Sequence, residues 1–221
     1  MIQPQQPSAE LAVLHAMRCI GHAGAQRVAT ASGLTAGEVD RELDRLRRHG
    51  LVELDEGVFG GWSLTRAGRD FSEAAVRREV REAGAVELVD TAYRDFLPLN
   101  RVVMGICHDW QMRSLGGRPI VNDHEDHRYD DSVLARLSSA DAAAQEICER
   151  LAQRLTRFEV YGRRLAYAAR RSQGGDIRFV TEDLESYHSI WFQLHEDLLV
   201  TCGISRDDER WREAEERPEG I

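Results

Sequence analysis

The sequence predicts a mainly α-helical chain with one small β-hairpin in its first third. Apolar residues recur at helical spacing along most of the 221 residues, and one pair of short runs has the pattern of two strands around a turn. Hydrophobic residues make up 42% of the chain and charged residues 30%, as is usual for a globular protein. This length allows one large domain or two small ones, each with a core.

The first two predicted helices lie before residue 34. Ser8 has the side chain of an N-cap, and it precedes an apolar stripe formed by Leu11, Val13, Leu14, Met17 and Ile20. Gly21 and Gly24 interrupt the pattern. A short helix, AQRVATAS, then follows and ends at Gly33.

A third helix and a hairpin complete the first 70 residues. Thr35 and Glu38 have the spacing of a capping box, and Val39, Leu43 and Leu46 follow at i, i+4 and i+7 as one buried face. Gly50 ends this helix. Residues 51–54 and 62–64 have strand character around a turn at residues 55–61, in which Phe59 and Trp62 are expected to pack on neighbouring helices.

This order of elements resembles the winged helix-turn-helix of MarR-type transcriptional regulators. The segments that carry the resemblance are RVATASGLTAGEVDRELDRLRRHGLVEL and LTRAGR, within residues 8–69. The resemblance implies that the helix from Thr35 to His49 enters the major groove of DNA and that the hairpin contacts the backbone or minor groove. The hairpin sequence DEGVFGGW is acidic where family members usually carry an arginine.

Four arginines are the candidate DNA contacts: Arg41, Arg45, Arg47 and Arg48. The alternative is that they form ion pairs with Asp40, Glu42 and Asp44 on a solvated face. The formal net charge is -9, all 29 basic residues are arginine, and residues 1–70 hold eight arginines against nine acidic residues. The basic footprint usual for DNA-binding modules is therefore thin.

A charged amphipathic helix is predicted over Ser72–Phe96, linking the two parts of the chain. Its apolar positions suit either a dimer interface or packing on its own C-terminal domain, and Ala83-Gly84-Ala85 marks a bend or a close contact. The predicted domains are residues 1–70 for the winged helix, 71–96 for the linking helix, 97–203 for a helical domain and 204–221 for a charged, frayed tail.

The C-terminal domain is predicted to be all-helical. One helix opens at Pro98 and ends before Gly116-Gly117, and a polar loop follows that contains His124 and His127. The remaining helices are expected near Asp131–Leu137, Ala140–Leu155 and Arg157–Arg171, with a final helix capped by Thr181 and ending at Gly203. The blocks FLPLNRVVMGICHDWQ, NDHEDHRYDD and SYHSIWFQLHEDLLVTCGI resemble a group of actinobacterial winged-helix proteins that supplies no ligand or reaction to transfer.

Polar and aromatic residues within these apolar helices are candidate ligand-binding residues: Asn100, His108, Asp109, Trp110, Tyr187, His188, Trp191 and His195. The alternative is that they cross-link helices in a bundle core. No metal site is predicted, because His188 and His195 are two helical turns apart and the His124 to His127 spacing is not a recognised ligand signature. No catalytic residue and no cofactor are predicted, since nucleophile motifs and nucleotide-binding glycine loops are absent from the sequence.

These observations predict a cytoplasmic, homodimeric, ligand-responsive transcriptional regulator that binds DNA and a small-molecule effector. The alternative is a helical-domain enzyme or a protein-docking module whose winged helix no longer binds DNA. No apolar run is long enough to span a bilayer, and the first ten residues do not have the pattern of a signal peptide. The four cysteines are widely spaced and are expected to be reduced thiols.

Overall fold

Three helices and a short hairpin form the N-terminal part of the chain. The computed structural model describes residues 4–58 and 60–209, and its first elements are α1 (Ala9–Ile20), α2 (Ala25–Ser32), α3 (Ala36–Arg48), β1 (Val52–Asp55) and β2 (Gly61–Leu64). The strands pair antiparallel, with Val52 opposite Leu64. Phe59, for which the sequence predicted packing on a helix, lies outside the described residues.

Side-chain caps set the ends of these helices. The Leu11 N–H donates to the Ser8 hydroxyl at 3.2 Å, which begins α1. At the start of α3 the predicted capping box is present, because the Glu38 N–H donates to the Thr35 hydroxyl (3.4 Å) and the Thr35 N–H donates to the Glu38 carboxylate (2.9 Å). Gly33, between α2 and α3, has a φ of +74°, a left-handed conformation that glycine adopts without steric cost.

All five elements contribute to the N-terminal core. Val39, Leu43 and Leu46 form the buried face of α3, as their spacing predicts. They pack with apolar side chains of the other elements, among them Val13, Leu14, Met17, Val28, Val52 and Leu64. Two backbone hydrogen bonds between Ala23 and Trp62, of 3.0 and 2.8 Å, tie the hairpin to the α1–α2 connection. The helices and the hairpin therefore share one core.

Two helices occupy the region of the predicted linking helix. The prediction of one helix over Ser72–Phe96 is wrong, because α4 (Arg66–Glu82) begins earlier and α5 (Val86–Gln111) continues well beyond it. The backbone leaves the helical conformation at Gly84, where φ is +58°, so the bend predicted there is confirmed. Pro98 was expected to open a helix but lies inside α5.

A second antiparallel hairpin, which was not predicted from the sequence, follows α5. Its strands are β3 (Met112–Leu115) and β4 (Arg118–Val121), joined by Gly116 and Gly117 with φ values of +58° and +80°. Two central residues with positive φ are typical of the turn that suits a two-residue hairpin connection. The Gly-Gly pair was the sequence signal for this hairpin, although it was interpreted only as a helix break.

The remaining elements are α6 (His127–Ala152), α7 (Phe158–Gln173), α8 (Arg178–Thr181) and α9 (Tyr187–Cys202). The sequence predicted two helices in the region of α6, but the helix is continuous, and the Ser139 hydroxyl donates to the Ala135 carbonyl within it (3.1 Å). The prediction that Thr181 caps the last helix is wrong. Ser186 caps it instead, accepting a hydrogen bond from the Ser189 N–H at 3.2 Å.

A larger second core lies among α4, α5, α6, α7 and α9. Its fully buried large side chains include Phe96, Trp110, Leu137, Leu151, Phe158, Tyr187 and Trp191. α1 contributes Leu11 to this core and its other apolar residues to the first one, so the two cores meet at α1. In the described part of the chain, no helix is both long and apolar enough to cross a membrane.

Candidate functional site

The outward face of α3 carries two of the four arginines predicted to contact DNA. Arg41 and Arg48 project opposite the buried face of α3, since seven residues take a helix through nearly two turns, and both are exposed. Arg47 is also exposed, but it projects from the side of the helix. Asp44 lies between Arg41 and Arg48 on the outward face, which therefore presents two guanidinium groups and one carboxylate to solvent.

Arg45 is held in ion pairs. Its Nη2 lies 2.6 Å from Oε1 of Glu42 and 2.6 Å from Oε1 of Glu10, which is in α1. The hydrogen bonds that Arg45 donates to these two carboxylates raise its pKa. The alternative interpretation, ion pairing on the helix surface, is therefore the one that describes Arg45. Its partner Glu42 was among the acidic residues considered from the sequence, and its partner Glu10 of α1 was not. Within the described residues, Arg41, Arg47 and Arg48 form no such pair.

The connection from α2 to α3 rests on α7. A Cβ built at Gly33 would lie 2.9 Å from Cγ2 of Val160, which is closer than side-chain atoms approach in folded proteins. Gly33 is therefore required both by its left-handed backbone and by this contact. The α2–α3 connection is therefore in close contact with α7 at this point.

Contacts between the start of α4 and the connection that follows α3 explain why the sequence LTRAGR has its threonine and its glycine. The Thr65 hydroxyl donates to the Gly50 carbonyl at 2.7 Å and accepts from the Gly68 N–H at 3.0 Å. A Cβ at Gly68 would lie 2.0 Å from the Leu51 carbonyl oxygen, so only glycine fits there. These residues hold α4 against the N-terminal core and do not form a binding site.

The tip of the first hairpin is acidic. Asp55 ends β1, and its Oδ1 accepts a hydrogen bond from the Gly57 N–H at 2.8 Å. Glu53 and Glu56 are exposed nearby, and the sequence from Leu51 to Leu64 contains no arginine. This tip carries no positive charge with which to contact a phosphate.

Four of the predicted ligand-binding residues meet in one aromatic cluster between α5 and α9. The Trp191 indole N–H donates to Asn100 Oδ1 at 2.8 Å, and the Trp191 ring stacks on Phe96 with centroids 4.7 Å apart. Tyr187 stacks on the other side of Trp191 at 6.2 Å, and His195 contacts Phe96 at 4.9 Å. Trp191 and Asn100 satisfy each other's polar groups, and the aromatic rings pack together, so this cluster cross-links α5 and α9, which is the alternative interpretation.

His195 is also bonded to the segment after α9. Its Nε2 lies 2.6 Å from Oε1 of Glu209, which accepts a second hydrogen bond from the Tyr93 hydroxyl at 2.7 Å. Burial favours the protonated acid, but these two hydrogen bonds outweigh it and lower the pKa of Glu209. The prediction of a frayed tail from residue 204 is wrong as far as Glu209, which is buried, while residues 210–221 lie outside the described part.

Trp110 is buried at the end of α5 beside the predicted polar loop. Its carbonyl accepts from Asn122 Nδ2 at 3.0 Å, and its ring packs on His124 at 4.5 Å. His124 Nδ1 lies 3.0 Å from Asp130 Oδ2, and Asn122 Nδ2 donates to Asp130 Oδ1 at 2.8 Å. His127 begins α6 and is exposed. The loop is therefore ordered by its own polar contacts.

The last three predicted ligand residues do not converge. His108 is exposed, and Asp109 pairs with Arg136 at 2.7 Å on the surface. His188 packs edge-on against Phe192 at 4.9 Å, and partial burial lowers its pKa. The structure therefore does not assemble the predicted ligand residues into one cavity.

A cavity lies instead where α1, α4 and α9 meet. This junction groove has a volume of about 680 Å³, which is within the range of small-molecule sites. Three arginines line it, Arg18 from α1, Arg77 from α4 and Arg206 from the segment after α9. Their carboxylate partners in the groove are two glutamates, with Glu196 pairing with both Arg18 (2.5 Å) and Arg206 (2.9 Å), and Glu73 pairing with Arg77 (3.7 Å). Phe192, Leu199 and Ile204 form the apolar part of the groove wall.

A buried charge cluster lies next to this groove. Arg157, at the start of α7, donates to Glu79 of α4 and to the Thr201 hydroxyl (2.6 Å), and its Nη2 lies 3.3 Å from Asp197 Oδ1 in α9. Asp197 Oδ2 lies 3.0 Å from Nε2 of His15 in α1. These charged side chains are almost completely removed from solvent and come from four separate parts of the chain, so the sequence offered no local signal for them.

The members of the cluster alter one another's protonation. Burial opposes the charged form of His15, but the Asp197 carboxylate outweighs it and raises the pKa of His15 to about 10. Burial likewise opposes ionisation of Asp197, whose pKa is held well below its usual range by Arg157 and His15. For Glu79 burial dominates, and its pKa is raised despite the contact with Arg157.

Three features are thus candidates for a functional site: the outward face of α3, the junction groove and the buried charge cluster. The first is a candidate macromolecular interface, the second is large enough for a ligand, and the third joins the two cores. Comparison of the chain with protein-family models, with characterised proteins and with solved structures gave no match.

Proposed function

We propose that this protein is a DNA-binding transcriptional regulator whose first 70 residues form a winged helix-turn-helix module. The observation that carries the proposal is the outward face of α3. Arg41 and Arg48 project from it into solvent, while the opposite face of the helix is anchored in the N-terminal core. The helix order, the three-residue turn into α3 and the hairpin after it support the proposal, because winged helix-turn-helix modules use elements in this order to place a recognition helix in the major groove.

The chemistry of this face suits base edges as well as phosphates. A guanidinium group donates two hydrogen bonds to guanine O6 and N7, and a carboxylate accepts from the cytosine amino group. Arg41, Asp44 and Arg48 together therefore favour a site in which G·C pairs are read along one strand. The ion pairs of Arg45 with Glu10 and Glu42 leave it the role of positioning α3 on α1.

The junction groove is the proposed effector site. It is lined by α1, which belongs to the N-terminal core, and by α9, which belongs to the C-terminal core. A ligand that binds one arrangement of α1 and α9 more tightly than another shifts the population of that arrangement and so moves the DNA-binding helix. In the proposed homodimer, this movement changes the spacing of two recognition helices on a two-fold symmetric DNA site.

One observation favours a second function, in which the module docks a basic protein surface. The tip of the hairpin is acidic, and Asp40 and Asp44 are exposed on α3. Carboxylates at these positions repel phosphates and attract basic side chains. An enzymatic role has no comparable support, since five of the predicted polar and aromatic residues lie in core contacts and the other three do not converge on a cavity.

The test is a DNA-binding measurement with the double variant Arg41→Ala/Arg48→Ala. The probe is a duplex from the region upstream of the protein's own gene. Removing one arginine–base hydrogen-bonding interaction costs about 1–3 kcal/mol, so the double variant should bind roughly thirtyfold more weakly or worse.

The matched control is Arg94→Ala/Arg118→Ala, which removes the same charge from α5 and β4. This variant should bind with nearly the affinity of the unaltered protein. Equal reductions in affinity for both double variants would show a general effect of charge rather than recognition by α3. Unchanged binding by Arg41→Ala/Arg48→Ala would refute the assignment of the recognition helix.

A further inference from the structure

We propose that His15, Cys19 and Asp197 form a zinc site that joins α1 to α9. The site is separate from the face of α3 on which the proposed DNA binding rests, because it lies inside the protein; one of its members, Cys19, also borders the junction groove. Its three donors are an imidazole nitrogen, a sulfur and a carboxylate oxygen, which are the ligand types found in zinc proteins.

The three donor atoms converge on one point. His15 and Cys19 are one helical turn apart on the same side of α1, and Asp197 faces them from α9. His15 Nε2 lies 3.0 Å from Asp197 Oδ2 and 3.8 Å from Cys19 Sγ, and all three atoms lie within 4.8 Å of one another. Zinc bond lengths and a tetrahedral angle require donor separations of roughly 3.3–3.6 Å, so the two separations from His15 Nε2 are within about half an ångström of those in a zinc site.

Hydrogen bonding alone accounts poorly for this arrangement. Cys19 and Asp197 both face the same nitrogen of His15, and a single N–H cannot make a linear hydrogen bond to both. Asp197 Oδ2 is buried and lies 3.0 Å from His15 Nε2, but this contact is not aligned as a hydrogen bond. Convergence of three donors on one point, without aligned hydrogen bonds among them, is an arrangement that a bound dication explains.

Charge balance also permits a dication. With His15 protonated and Cys19 a thiol, the charges of His15 and Arg157 balance those of Glu79 and Asp197. Zinc binding removes one proton from His15 and one from Cys19, and the two protons are released to solvent. The two positive charges of the zinc ion replace those of the two released protons. The buried cluster therefore remains neutral, and the net cost of burying charge does not rise.

The protein around the three donors contains a path from solvent for the ion and space for a fourth ligand. Cys19 lines the junction groove, through which an ion reaches the donors from solvent. On the other side, a cavity of about 20 Å³ borders His15, Asp197 and Tyr161, which is room for one water molecule as the fourth ligand. This cavity is too small for a substrate, so the role of the ion is to hold α1 on α9.

The test is metal analysis of the full chain, purified without a metal-affinity tag or chelator, followed by cobalt titration of the metal-free protein. We expect one zinc per chain, and for cobalt a thiolate-to-metal charge-transfer band that reports directly on Cys19 as a ligand. Cys19→Ser should lose this band and bind zinc at least about tenfold more weakly, since even the loss of an outer hydrogen-bond partner costs that much.

Cys202→Ser is the matched control, because Cys202 is a partly buried cysteine of α9 outside the three donors. It should retain both the band and the affinity. The band in the unaltered protein does not depend on any variant folding correctly, and circular dichroism of metal-free Cys19→Ser separates ligand loss from misfolding. Absence of zinc in the purified protein together with absence of the cobalt band would overturn the proposal, as would equal metal binding by folded Cys19→Ser.

Discussion

Arg157 is the residue on which the buried charge cluster most depends. It balances two carboxylates, Glu79 and Asp197, neither of which has access to water. Arg157→Met keeps most of the side-chain volume but leaves Glu79 without its cationic partner and Asp197 with His15 alone. We therefore expect the free energy of unfolding to fall by about 3–5 kcal/mol, as measured by urea denaturation.

Arg163→Met is the control for this prediction. Arg163 lies on α7 as well, but it is exposed and only approaches Glu159, at 3.7 Å. An exposed pair of this kind contributes little, so the free energy of unfolding should change by less than about 0.5 kcal/mol. A similar small change in Arg157→Met would mean that the cluster is not a stabilising contact between the two cores.

The cluster also shows which residue roles the sequence does not reveal. Arg157 and Asp197 are separated by 40 positions, and Arg157 and Glu79 by 78. Such partners become neighbours only when helices pack, so periodicity and spacing carry no information about them. The same limit explains why Asn100 and Trp191 were candidate ligand residues, since their polar groups were visible in the sequence but their mutual hydrogen bond was not.

At the scale of elements, the contact between α4 and the end of α3 gives the sharpest prediction. A methyl group at Gly68 would overlap the Leu51 carbonyl oxygen, and neither is the flexible end of a side chain. Gly68→Ala must move α4 away from the N-terminal core, and we expect it to lower the free energy of unfolding by about 1–3 kcal/mol. The measurement is the urea-unfolding transition.

Gly105→Ala provides the comparison for Gly68→Ala. Gly105 lies inside α5, and a Cβ there would have no atom within 4 Å. Alanine in a helix interior lowers the entropy of the unfolded chain, so this variant should be unchanged or more stable by up to about 1 kcal/mol. If both variants had the same stability, the steric explanation of the LTRAGR sequence would be wrong.

Elements with a strong local signal were predictable, and those decided by packing were not. The capping box at Thr35 and the spacing of the buried face of α3 predicted that helix within a residue of its observed start. The hairpin of β3 and β4 lacks alternating burial and depends on its Gly-Gly turn, so its sequence resembled a loop. Residues around Pro98 and Ser139 were interpreted as breaks, although tertiary packing keeps α5 and α6 continuous through them.

At the scale of the whole molecule, α1 is the element that connects the proposed DNA-binding module to the rest of the chain. It packs in the N-terminal core, contributes Leu11 to the second core and pairs through His15 and Arg18 with α9. The α2–α3 turn also contacts Val160 of α7. The position of α3 is set mainly by its packing on α1, α2 and β1, so α1, which borders the junction groove, is the element through which an effector there would influence DNA binding.

The net charge of -9 is a property of the whole chain and does not describe the face of α3. Most of the excess negative charge lies after residue 70, whereas Arg41 and Arg48 stand exposed with one intervening carboxylate. Repulsion between distant charges and DNA is screened within about 10 Å at 0.1 M salt. Binding should therefore depend on local arginine contacts and be specific rather than strongly electrostatic.

The most direct test of the central claim is a salt titration of DNA binding by the unaltered protein. The upstream duplex is compared with an unrelated duplex of equal length and base composition. We predict tighter binding to the upstream duplex at every salt concentration, with the logarithm of the affinity falling linearly with the logarithm of salt concentration. Equal affinity for the two duplexes, or no binding at low salt, would contradict the assignment of this protein as a DNA-binding regulator.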